Sequence, residues 1–193
     1  MKLFLAASLV ASASAFAPAF APRQTVTLDA SITETLETLQ GPEQFWGSEG
    51  VLVGKDEADI KGYDNFGQLA AAIKDAGIDL SSGEFTILAP SDSAIAKHNN
   101  EVGTPIDADI LKYHVIPGKK ALDALTVDQE TLNGGTLTSY RKFRKNWLDN
   151  AIVGLKSEGP SKSSSWPSDV ACDNGVIHAI DTVLVPGAYT GSR

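Results

Sequence analysis

Apolar residues recur at three- and four-residue spacing over residues 65–76, where Phe66, Leu69, Ala70, Ile73 and Ala76 line one side. That period predicts an amphipathic helix, capped by Asp64 and stopped by Gly77. Upstream, Ser31-Ile32-Thr33-Glu34 has the form of a capping box before a short helix that carries Leu36 and Leu39 and meets Gly41-Pro42. Residues 43–62 show no period, hold four glycines and display a Phe45-Trp46 pair; they read as irregular, with one helical turn near 56–61. Residues 85–89 (FTILA) are a β-type run closed by Pro90. Ser91 or Asp92 caps a short helix reaching Lys97, residues 106–114 form another, and 121–125 make one more turn. From residue 131 the texture changes to short strands, at 135–140, 150–155, 169–172, 176–179 and 182–185. Residues 157–168 form a Ser/Pro/Lys-rich loop. Helices first and strands later predict an α+β domain.

Composition narrows the function classes. The chain has 193 residues, the size of one domain with a full core. Sixteen Lys and Arg stand against 24 Asp and Glu, a formal net charge of −8, which argues against nucleic acid as a partner. Cys172 is the single cysteine, so no intrachain disulfide forms. Past the N-terminus no apolar run reaches the ~20 residues of a membrane span.

The N-terminus reads as an address. Lys2, an apolar stretch over 3–10 and Ala13-Ser14-Ala15 have the layout of a signal peptide, residues 1–15. Phe16-Ala17-Pro18 follows at once and recurs as Phe20-Ala21-Pro22, and residues 16–27 contain no acid until past Arg23 and Thr27. The whole resembles the bipartite presequence of plastid proteins in algae with secondary red-type plastids, where Phe after the cut directs import. A plain secretory signal with a Pro/Ala spacer is the other reading. No N-x-[ST] acceptor occurs, and the C-terminus shows no apolar tail for a lipid anchor and no retention signal. Removal of residues 1–23 takes away Lys2 and Arg23 and leaves a charge of −10.

Three segments in fixed order resemble the fasciclin (FAS1) domain family. They are residues 86–95 (TILAPSDSAI), 111–118 (LKYHVIPG) and 174–186 (NGVIHAIDTVLVP), joined by 132–137 (LNGGTL). The resemblance covers residues 64–187. It implies the FAS1 fold, an α+β domain with two small β-sheets packed as a wedge and helices along one side. Residues 28–63 then form an N-terminal arm and 188–193 a tail. Ala94-Ile95 departs from the family's Ala-Phe, and residues 140–149 replace a short β-turn with a segment of this chain's own.

Within those motifs, Pro90 and Pro117 end elements by withholding a donor. Asn174-Gly175 reads as a turn accepting positive φ. His114 and His178, the latter three residues before Asp181, suit either acid–base or metal chemistry or, as we favour, structural bonding of the rings to buried backbone. The family's Tyr-His block is linked to adhesion, and Tyr113 and His114 carry over as shape-holding residues. No G-x-S-x-G elbow surrounds Ser91 or Ser161, no phosphate cradle appears, and no base flanks Cys172, so no enzyme is expected.

Two segments remain as partner-binding candidates. Tyr140, Arg141, Lys142, Phe143, Arg144, Lys145 and Trp147 put four cations and three aromatics into eight residues of an acidic chain. Such a segment is a solvated hairpin with its aromatics tucked in, a protein hot spot, a contact for an anionic membrane surface or, least favoured in so acidic a chain, a site for single-stranded nucleic acid. Of the functional readings a protein partner is preferred. Phe45 and Trp46 belong either to an arm that orders on a partner or to a cover for the protein's own sheet edge. Together these features lead to a non-enzymatic, plastid-targeted protein-interaction module, an accessory subunit of a thylakoid photosystem or antenna complex, with the stromal side favoured and the lumen left open. It has no transmembrane span and no cofactor of its own, though peripheral membrane association and contact with pigment or lipid within a complex are open. The rivals are a secreted adhesion or matrix protein and a pigment- or lipid-binding domain.

Overall fold

The computed structural model describes residues 30–45, 60–154 and 166–191. The presequence, Trp46 and most of the 157–168 loop lie outside the described residues.

The centre of the fold is a pair of strands far apart in sequence. Strand β3 (Phe85–Pro90) lies parallel to β11 (Gly175–Ile180), in register from Phe85 opposite Gly175 to Pro90 opposite Ile180. On its other side β3 takes β4 (Val115–Pro117) antiparallel. The far side of β11 is divided. Its first half pairs with β10 (Val170–Cys172), and its last residue, Ile180, meets Val153 of β9 (Ala151–Val153). From β9 the sheet continues through β8 (Lys145–Leu148) to β7 (Ser139–Lys142), the last strand on that path. The sheet thus opens at β11 into two wings.

Both faces of the central pair are covered, which is why β3 and β11 read as near-continuous apolar runs. Ile87, Ala89, Ile177 and Ala179 point into one cluster. Leu88 and Ile180 point into the other, with Leu137, Leu148, Val153 and Leu184. Two short ladders flank the sheet: β1 (Gln40–Phe45) with β2 (Ile60–Asn65), and β5 (Gln129–Glu130) with β6 (Thr136–Leu137). The mixture of helices with one curled sheet and small ladders is α+β, as expected.

Helix α1 (Ile32–Thr38) forms where the capping box predicts it. The Ser31 hydroxyl accepts from the Glu34 amide at 3.4 Å, and the Glu34 carboxylate accepts from the Ser31 amide at 2.9 Å. Ile32 and Leu36 are fully buried in the first cluster, beside α2 (Gly67–Asp75). The start of the expected N-terminal arm is therefore part of the same core as the family-like region.

Several expectations are corrected. Residues 40–45 and 60–65 form a bulged antiparallel ladder, not irregular chain. Backbone pairing here needs no apolar period, and the register slips where Gly41-Pro42 lies between Gln40 and Glu43. Asp64 does not cap the helix that follows it. Instead Asp92 accepts from the Gln68 amide in the first turn of α2 at 2.9 Å, while Asp64 accepts from the Ser93 amide of α3 (Asp92–Val102) at 3.2 Å. The two aspartates cap each other's helices. Ser91 caps α3 through the Ala94 amide, and α3 runs past Lys97 to a left-handed Gly103. Helix α4 (Ala108–Tyr113) starts at Asp107, and a 3₁₀ turn spans Leu122–Thr126. Residues 182–185 form no strand although Val183 and Leu184 are buried, because the Leu184 amide is taken by a histidine ring.

Candidate functional site

The residues with chemical potential fall into two sets, one buried and one exposed. In the buried set, His114 ends α4. Its Nδ1 lies 2.8 Å from the Ile110 carbonyl, and its Nε2 accepts the Leu184 amide at 3.0 Å. That pairing requires a neutral ring with its proton on Nδ1. Burial pushes the His114 pKa down to about 4, against a smaller upward pull from the Ile110 carbonyl. His178 is equally enclosed. It donates from Nε2 to the Lys120 carbonyl at 2.8 Å and accepts from the Asp169 amide through Nδ1 at 3.2 Å. Burial lowers its pKa too, opposed by the Lys120 carbonyl. Asp181 is engaged elsewhere, accepting the Ile152 amide of β9 at 3.0 Å. Each histidine staples separate backbone segments, and neither presents a free nitrogen.

Tyr113 makes the other buried link. Its hydroxyl donates to Asp149 Oδ2 at 2.7 Å and lies 3.1 Å from the Thr136 carbonyl. Burial, then the Asp149 carboxylate, raises the pKa of the phenol. Asp149 also accepts the Thr138 amide at 2.7 Å, from a backbone with φ of 49°. Asp169, at φ 55°, accepts the Leu122 amide at 2.8 Å. Sequence reasoning missed both aspartates. Their signal was an Asp at the edge of a short strand, Asp149 right after β8 and Asp169 right before β10, a residue that tolerates the left-handed region.

Pro90 and Pro117 are the last residues of β3 and β4, as expected. Asn174 lies in the two-residue turn that reverses β10 into β11, but neither it nor Gly175 adopts positive φ, which corrects that part of the reading. Gly175 is required by close approach instead: a Cβ there would sit 2.1 Å from the Phe85 carbonyl oxygen and 2.6 Å from Ile32. Asn174 accepts the Ile32 amide and donates to the Leu80 carbonyl, at 2.9 and 2.8 Å. Cys172 is buried, its thiol donating to Thr35 Oγ1 at 3.3 Å, and burial raises its pKa. Among the described residues no group of three His, Cys, Asp or Glu is placed to hold a metal ion. Likewise no helix there is long and apolar enough to cross a membrane.

The exposed set is the hairpin β7–β8. Tyr140 opposes Trp147, Arg141 opposes Asn146, and Lys142 opposes Lys145, which leaves Phe143-Arg144 as a two-residue loop. Both loop residues have positive φ, 52° and 61°, the arrangement of a type I′ turn. Tyr140 stacks on Trp147 and on Tyr189, each at 5.9 Å between ring centroids and within 14° of parallel. Trp147 donates from Nε1 to the Lys142 carbonyl at 3.2 Å. Two of the three aromatics are thus held internally. The third, Phe143, is 79% exposed with the Lys142 ammonium 5.5 Å from its ring centre. Arg141, Lys142 and Arg144 are exposed as well. Tyr189, expected in a featureless tail, is the unforeseen member. Phe45 ends β1 opposite Ile60, its side chain and Trp46 lying outside the described residues.

A model of the Fasciclin domain matches residues 64–186. Among curated proteins, transforming growth factor-beta-induced protein ig-h3 of Sus scrofa is 32% identical over 141 residues, 67% of this chain and 19% of that protein. Protein sll1483 of Synechocystis is 34% identical over 139 residues, 65% of this chain and 69% of its own length. Cell surface glycolipoprotein MPB83 of Mycobacterium bovis is 30% identical over 115 residues, 56% of this chain and 47% of that protein. Among solved structures, a FAS1 domain pair from the insect cell adhesion molecule Fasciclin I aligns at a TM-score of 0.40 and 23% identity, covering 61% of this chain and 44% of that one.

Proposed function

The chain belongs to the fasciclin domain family, and from that premise we propose that it is a non-enzymatic, adhesion-type interaction module that works inside a plastid as an accessory subunit beside a thylakoid photosystem or antenna complex. One observation supports the module reading above others. Among the described residues, His114, His178, Tyr113 and Cys172 are buried and engaged in hydrogen bonds, while the basic-aromatic residues Arg141 to Arg144 face outward on the hairpin. Catalysis by any of these four would need it to be reachable. The plastid address rests on Ala13-Ser14-Ala15 followed by Phe16. The module holds no cofactor of its own and touches pigment or lipid only within a complex, so the purified protein is colourless.

The competing reading is a secreted or cell-surface adhesion protein, which the mycobacterial cell-surface relative favours. Fluorescent fusions of the full chain, and of residues 1–30, in an alga with a secondary plastid separate the two. Plastid fluorescence that Phe16→Ala diverts to the secretory route supports the proposal, and thylakoid pulldown then seeks the partner. Fluorescence at the surface or in the medium, indifferent to Phe16, overturns it in favour of adhesion.

A further inference from the structure

We infer that the β7–β8 hairpin docks the protein onto an anionic lipid bilayer, with Phe143 entering the interface and the surrounding cations meeting the headgroups. The residues in the turn are the first observation. A two-residue loop with both φ positive favours Asn-Gly, since a bulky side chain there crowds its own backbone. This chain places Phe143 and Arg144 at 52° and 61°. Among the described residues Phe143 joins neither core cluster, and it is 79% exposed. Strain of this kind at a surface apex points to a use for the side chain displayed there.

Charge is the second observation. Residues 141–145 carry +4 and no acid occurs from Ser139 to Leu148, while the whole chain carries −8, so the remainder carries −12. That separation of charge favours an orientation with the hairpin turned to a negative surface. Packing is the third. A protein hot spot is built from clustered aromatic anchors, yet Tyr140 and Trp147 stack on each other and Tyr140 on Tyr189. What remains is a single apolar pin with a basic collar on the last strand of the sheet path. A pin of that form needs no preformed pocket in its partner, and an interfacial bilayer region accepts it directly. A bilayer contact of this kind is compatible with either address.

The test is sedimentation of the full chain with vesicles of phosphatidylcholine alone and of phosphatidylcholine with phosphatidylglycerol, at low and high salt. The wild-type protein partitions onto the anionic vesicles and leaves them as salt rises. Lys142→Gln/Lys145→Gln weakens partition roughly fivefold per cation removed. Phe143→Asn/Arg144→Gly weakens it roughly tenfold or more while keeping a turn that folds at least as well. A Phe143→Cys protein carrying an environment-sensitive dye shifts to the blue on anionic vesicles; Cys172, 3% exposed, stays unlabelled. Equal partition of wild type and variants overturns the inference, because another part of the chain then touches lipid. So does a hairpin-dependent complex with an acidic protein without vesicle binding, or an unshifted dye.

Discussion

The side-chain oxygen of Asn174 accepts the backbone N–H of Ile32 at 2.9 Å, across 142 residues of sequence. With the Asn174 amide donating to Leu80, one side chain locks α1 against the C-terminal half of the domain. Asn174→Ala removes both bonds and costs about 1–3 kcal/mol. Leu36→Ala, at a site with no exposure, costs about 2–5 kcal/mol. Both are measured by urea denaturation. An unchanged midpoint for Leu36→Ala would show that α1 lies outside the cooperative unit.

The Tyr113–Asp149 pair anchors α4 to the turn between β8 and β9. Tyr113→Phe leaves a buried carboxylate short of a donor, and Asp149→Ala strands the Thr138 amide and leaves the phenol only the Thr136 carbonyl. Each single change costs about 1–3 kcal/mol. In a double-mutant cycle the coupling is about 1–3 kcal/mol. Asp149→Asn is the mildest change, since Asn tolerates the positive φ and keeps an acceptor for Thr138.

Stability falls on acidification. His114 is held neutral, with a folded pKa of about 4 against an unfolded value near 6.5. Between those values the unfolded chain binds a proton that the folded one refuses, so stability is full above pH 6.5, declines towards pH 4 and levels off below it. His178 adds in the same direction. The span for His114 is roughly 3 kcal/mol. His114→Gln, which retains a donor and an acceptor, flattens most of the slope in denaturation midpoints between pH 7 and pH 5. A slope that survives the substitution would place its origin elsewhere.

The hairpin turn is destabilised by the residues in it. Replacing Phe143-Arg144 with Asn-Gly relieves two positive-φ positions and raises stability by about 1 kcal/mol or more. Thermal melts give the answer directly. A loss of stability would mean that Phe143 or Arg144 makes contacts the exposed geometry does not show.

Most of the scaffold was legible because its signals are local. The Ser31–Glu34 capping box, the apolar face of α2 and the FTILA strand each carry their own evidence in adjacent residues. What escaped notice depends on partners brought close only by the fold. Asp64 sits where a cap for α2 belongs, but a neighbouring helix claims it and returns the favour through Asp92. Val183 and Leu184 have strand composition, yet His114 takes the amide that a ladder would need. The β1–β2 ladder lacks an apolar period since it is bonded by backbone. The basic-aromatic segment was visible as a composition. Which of its rings remain available was not, because Tyr189 supplies a stacking partner from beyond the motif.

The parallel pairing of β3 with β11 also governs the order in which the chain is completed. A ribosome delivers residues 85–90 long before residues 175–180, and parallel strands cannot close through a local hairpin. Until residues 174–180 emerge, β3 has one bare edge and α1 has no Asn174 to seat it. The nascent chain is therefore held unfinished until those residues follow, which exposes an apolar edge to aggregation when their delivery is delayed.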